Sequence, residues 1–278
     1  MLVSESNSEK YRSSLLAQLD RLSYALSNNS LLGEILDATW QTHVLNEIKN
    51  ADLKSAFESE KACMFFQFKE QPERVRLVDR RLEALNVIPA IQNDFRLKVK
   101  NVKQNRFFLS YRNYLFELMV LGAFAEAERL VDMEVPVAAG GSTVDGLVDL
   151  GERKAYVEVT FTSQKLFEVP KDDVICVSIQ EMIEQVVYKV VKKVSCGKQL
   201  GLVDGKPSVI ALGMNFNGAD ELSVKLACEQ IFSDQRFAGL SALLASQRFD
   251  FSDVSVYHNP SAIIPLTQAE LGVLRNLI

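Results

Sequence analysis

Residues 142–162 read STVDGLVDLGERKAYVEVTFT. Two β-rich runs, STVDGLVDL and RKAYVEVTFT, flank a Gly151-Glu152-Arg153 turn signal, so the stretch predicts an antiparallel hairpin. VDMEVPVAA lies just upstream, behind Gly140-Gly141, and predicts a third strand and a second hairpin. Strand alternation puts Ala155, Val157, Val159 and Phe161 on one face and Tyr156, Glu158, Thr160 and Thr162 on the other. Glu158 is therefore a charge in the middle of an apolar strand. A solvated strand face would explain it, and so would a site.

Downstream, 178–194 reads as a helix. Ile179, Met182, Ile183, Val186, Val187, Val190, Val191 and Val194 form an apolar stripe, and Ser178 with Glu181 matches a capping box. Its other face carries Gln180, Glu181, Glu184, Gln185, Tyr188, Lys189, Lys192 and Lys193. A strand over 207–216, a helix near 219–232 and strands at 240–246 and 253–258 follow. This βββαβα order predicts an α/β class, a mixed β-sheet flanked by helices.

Upstream of about residue 128 the texture is helical, with glycine only at Gly33 and Gly122. Leu15, Leu16, Leu19, Leu22 and Leu26 have helical spacing, and 31–49, 74–86 and 105–128 also suit helices. The expected division is a helical N-terminal region over 1–104 and an α/β core over 105–278.

Bulk numbers exclude several classes. The 278 residues are 47% hydrophobic and 24% charged, ordinary for a folded chain. No apolar run reaches the ~20 residues that span a bilayer, and the polar N-terminus lacks a signal-peptide core, which predicts a cytoplasmic protein with no membrane partner. Cys63, Cys176, Cys196 and Cys228 form no C-x-x-C pair, and with only His43 and His258 a zinc site is not expected. A net charge of −5 counts against a protein that coats nucleic acid, but not against an enzyme with a local basic groove. There is no Walker loop and no nucleophile elbow.

Two further acids have telling surroundings. Glu117 is the only charged side chain between Arg112 and Glu126, in a helix apolar nearly all round. A lone buried carboxylate is costly unless paired or bound to metal. Asp145 lies thirteen residues before Glu158, so a hairpin turning at 151–153 would bring the two together, although Asp-Gly is itself a turn signal. Asp149, four residues further along its strand, falls near the turn. Arg106, Phe107, Phe108, Tyr111, Arg112 and Tyr114 form an aromatic-basic cluster that suits either core packing or stacking on nucleic acid.

The pattern of a helix Glu, a strand, an early Asp in the second strand, Glu-x-Thr in the third and then an amphipathic helix resembles the PD-(D/E)XK nuclease superfamily over residues 105–216. The resemblance implies a restriction-endonuclease-like core and a metal-dependent nuclease. It implies that Glu117, Asp145 and Glu158, with the Val159 carbonyl, hold Mg²⁺ or Mn²⁺. The implied partner is nucleic acid, DNA ahead of RNA, with the N-terminal helices supplying substrate selection or the contacts of a homodimer.

The chain departs from the family at Thr160, where a lysine is expected. Lys189 or Lys192 would then supply the missing charge, with Lys165 less well placed. The alternative is a catalytically degenerate nuclease-fold protein that binds nucleic acid or a protein partner.

Overall fold

The computed structural model describes residues 5–27, 31–50, 68, 73–107, 110–137, 142–162, 178–194, 200, 205–214 and 221–277. The chain divides into two compact units, Met1–Leu115 and Phe116–Ile278.

The first unit is helical: α1 (Glu5–Leu26), α2 (Leu31–Ile35), α3 (Ala38–Asn50), α4 (Glu73–Asn86), α5 (Gln92–Asn105) and the start of α6 (Tyr111–Glu126). Leu15, Leu19, Leu22 and Leu26 are buried along α1, which packs on α3. The single helix predicted over 31–49 is broken at Asp37. Its Oδ1 accepts the Trp40 N–H at 3.1 Å and so caps α3. Lys103 and Arg106 close on the same carboxylate at 3.1 and 3.2 Å. Arg106 also lies over the Phe107 ring, and Tyr111 is fully buried, so these members of the aromatic-basic cluster serve the core.

The second unit is a mixed six-stranded sheet flanked by helices, ordered β1-β2-β3-β4-β5-β6. The strands are β1 (Leu130–Pro136), β2 (Thr143–Asp149), β3 (Lys154–Phe161), β4 (Ser208–Gly213), β5 (Ala242–Ser246) and β6 (Val254–His258). β1, β2 and β3 are antiparallel neighbours, as the hairpin signals predict. At the β2–β3 turn Gly151 takes φ +92°, a conformation that favours glycine, and its N–H donates to Asp149 Oδ1 at 2.7 Å. β3, β4 and β5 run parallel, which requires crossovers. α7 (Ile179–Val194) and α8 (Glu221–Ser233) supply them.

Ile183, Val186, Val190 and Val194 of α7 join Val224, Ala227 and Ile231 of α8 in one core with Tyr156, Ile210, Leu212 and Leu243 of the sheet. The alternate residues of the same strands face α6. A Cβ at Gly146 would lie 2.7 Å from Leu121, and the Phe116 ring meets that of Phe161 edge-on at 5.4 Å. With both faces covered, β3 and β4 are buried almost throughout. A further helix, α9 (Gln268–Arg275), starts at a capping box made by Thr267 and Glu270. No described helix is long and apolar enough to cross a membrane.

Candidate metal centre at a fork in the sheet

The β2–β3 ladder runs from Asp149 opposite Lys154 to Gly146 opposite Val157 and stops there. One step further in the same register, Asp145 faces Glu158. The β1–β2 register places Met133 opposite Gly146 and Val135 opposite Val144, so Glu134 lies across from Asp145. Glu134, Asp145 and Glu158 thus share one level on three neighbouring strands. Beyond the last β2–β3 pair, the Val159 N–H donates to Asp145 Oδ2 at 2.6 Å, a side chain standing in for a strand partner.

Glu134 holds φ +50° in the middle of β1, a left-handed conformation costly for a side chain of this size. Thr143 Oγ1 donates to its Oε2 at 2.7 Å. Glu117, on α6, completes the group. Glu117, Glu134 and Asp145 are all half-buried, and each offers an oxygen within 4.8 Å of the others, an arrangement that could hold a metal ion.

Glu158 is fully buried beside them. Lys193 Nζ donates to its Oε1, while Oε2 is buried without a hydrogen-bond partner among the described residues. Burial first, and then the charge of Asp145, push the Glu158 carboxyl up to about 8 against the pull of Lys193. Burial alone would lower the Lys193 ammonium, but Glu158, Asp145 and Glu117 hold it above its usual value. Lys193 therefore faces the acids that the other lysines of α7 do not pair with.

The fork brings Glu117 and Asp145 together and adds Glu134. Glu158 adjoins the group through Asp145 but carries Lys193 on one oxygen. Val159 contributes its N–H to Asp145. Thr160 lies opposite Leu212 and is half-buried. Lys192 is exposed, its ammonium 4.4 Å from the centre of the Tyr188 ring. Lys189 is half-buried and its ammonium lowered, by burial first and then by Lys192 and Lys193. Asp149 sits at the turn opposite Lys154. Lys165 lies outside the described residues.

Sequence reasoning missed Glu134 and assigned Lys193 to a solvated helix face. The signal for Lys193 was its spacing, one helical turn after Lys189. The signal for Glu134 was a second acid, after Asp132, in an otherwise apolar strand.

No family model matches the chain, and no curated protein matches it. Among solved structures, one of Pyrococcus furiosus SfsA in complex with Ca²⁺ is similar in part, with a TM-score of 0.22 and 15% identity over 57% of this chain and 66% of that one. The chain thus spans a little under two thirds of that SfsA chain.

Proposed function

We propose that the chain is a metal-dependent phosphodiesterase acting on nucleic acid, with Glu117, Glu134 and Asp145 holding Mg²⁺ or Mn²⁺. The observation that carries this reading is the meeting of three carboxylates beside a buried Glu158–Lys193 pair. The donor set fits the ion: hard carboxylate oxygens suit both metals, and Glu158 Oε2 is a further buried oxygen with no hydrogen-bond partner among the described residues. The Val159 carbonyl is a further candidate ligand. When bound, such an ion lowers the pKa of water and offsets charge on a phosphate under attack.

The chain's own residues divide the remaining tasks. The Val159 N–H fixes the Asp145 carboxylate, and Thr143 fixes that of Glu134. Lys193 supplies the positive charge that Thr160 cannot, from the next helix rather than the same strand. Its ammonium stabilises charge developing on the phosphate, and its pairing with Glu158 holds it at the fork. We assign the chemistry to the α/β core and substrate selection to the N-terminal helices. We assign the activity to the cytoplasm.

The test is cleavage of DNA first and RNA second, with Mg²⁺ or Mn²⁺ against chelator, and Glu158→Ala as the paired control. The expected result is cleavage that requires metal and disappears in the variant. Thr160 favours a second reading, a non-catalytic descendant that binds nucleic acid or a protein partner. A folded wild type that binds no metal and cleaves neither substrate would select it.

A further inference from the structure

Lys189, Lys192 and Lys193 lie within one turn of α7, but only Lys193 has a carboxylate partner among the described residues. Lys189 and Lys192 remain as positive charges next to a third, in a chain whose net charge is −5. Like charges three or four residues apart on a helix repel one another, and an anion brought between them relieves that repulsion. The Lys189 ammonium is lowered by burial and then by these two neighbours, which agrees with the crowding.

An aromatic ring completes the group. Tyr188 is 55% exposed, large for a ring on a helix whose other face is core, and Lys192 Nζ stands 4.4 Å from its centre. An exposed ring backed by a cation is a platform for a flat, electron-rich partner. Spaced anions together with flat rings describe a nucleic-acid strand with its bases accessible. In a duplex the base faces are hidden in the stack.

We infer that Lys189, Lys192 and Tyr188 form a grip for single-stranded nucleic acid, the lysines on its phosphates and the tyrosine against a base. The inference rests on the reading of nucleic acid as the substrate. It gives Lys189 and Lys192 a positioning role distinct from that of Lys193. The strand lies along α7 and is led toward the acids that Lys193 faces.

Binding without divalent metal tests the grip apart from cleavage. The probes are labelled oligo(dT), oligo(U) and a matched duplex, followed by anisotropy over a range of salt with the full chain in chelator. Single strands are expected to bind more tightly than the duplex. Lys189→Gln with Lys192→Gln should reduce the salt slope for single strands by roughly 1.4, at ~0.7 for each lysine. Tyr188→Ala should weaken single-strand binding about tenfold and leave duplex binding unchanged.

Lys192 and Tyr188 are exposed, so Lys192→Gln and Tyr188→Ala test the idea without disturbing the core, even if a change at half-buried Lys189 impairs folding. Unchanged affinity and slope in these variants, a preference for duplex, or no binding by wild type would each overturn the grip. Binding with the expected slopes but no metal-dependent cleavage would support the grip and remove the phosphodiesterase reading. The oligo(dT) and oligo(U) arms report whether the sugar matters.

Discussion

Two carboxylates of the second unit are fully buried near the β2–β3 hairpin, one at its turn and one at its fork, and they are served in opposite ways. At the turn, Arg153 grips Glu270 of α9 with two hydrogen bonds, Nε to Oε1 at 2.8 Å and Nη2 to Oε2 at 2.6 Å. The Thr267 N–H adds a third at 2.8 Å. At the fork, Glu158 has Lys193 on one oxygen and, among the described residues, no hydrogen-bond partner on the other. Burial would raise both carboxyls. The Arg153 and Thr267 hydrogen bonds, with the Arg153 charge, hold Glu270 below its usual value, whereas Glu158 is pushed up. A buried carboxylate whose needs are met ties parts of the fold together. One left short of partners marks a place where something else can bind.

This contrast predicts unequal effects on stability. Arg153→Met leaves Glu270 buried without its main partner and should cost roughly 3 kcal/mol in denaturant unfolding. Lys193→Met should cost only about 1 kcal/mol, because a carboxyl that burial already pushes up can take on a proton once the ammonium is gone. Equal losses would break the comparison.

The pH dependence sharpens it. Glu270 has a folded-state pKa below its unfolded one. Its contribution is fully present above the unfolded value, about 4.3, and is lost as pH falls through the lower folded value. Unfolding measured from pH 7 downward should therefore show wild type losing more stability than Arg153→Met. Parallel curves would contradict the role given to this pair.

A last effect concerns how α6 sits on the sheet. Gly146 lies next to Asp145, and an added Cβ would meet the end of the Leu121 side chain at 2.7 Å. Gly146→Ala should cost about 1–2 kcal/mol, since Leu121 can give way only partly. A thermal melt with no change would mean that the helix carrying Glu117 is not held there as described.

Much of this architecture was legible in sequence, and the exceptions have physical causes. The hairpin over 142–162 and helix α7 read clearly because turn residues and apolar periodicity agree there. Helix α5 did not, because Lys98 occupies a buried position between Phe95 and Val102 and interrupts the stripe. Helix α9 is short, and its Thr267–Glu270 capping box was the one signal available.

At the fork, the facing of Asp145 and Glu158 follows from hairpin register, which sequence conveys. Glu134 depends on a left-handed residue in a strand, which alternation does not foresee. The choice among three lysines on one helix face depends on where a long side chain reaches, and residue spacing alone does not settle it.

The central claim is that the acids at the fork form one divalent-metal site. Calorimetric titration of Mn²⁺ into wild type and Asp145→Asn, with circular dichroism confirming that both are folded, tests it most directly. Wild type should bind the ion, and the variant should lose more than about 100-fold in affinity. No binding by wild type, or equal binding by both, would contradict the account.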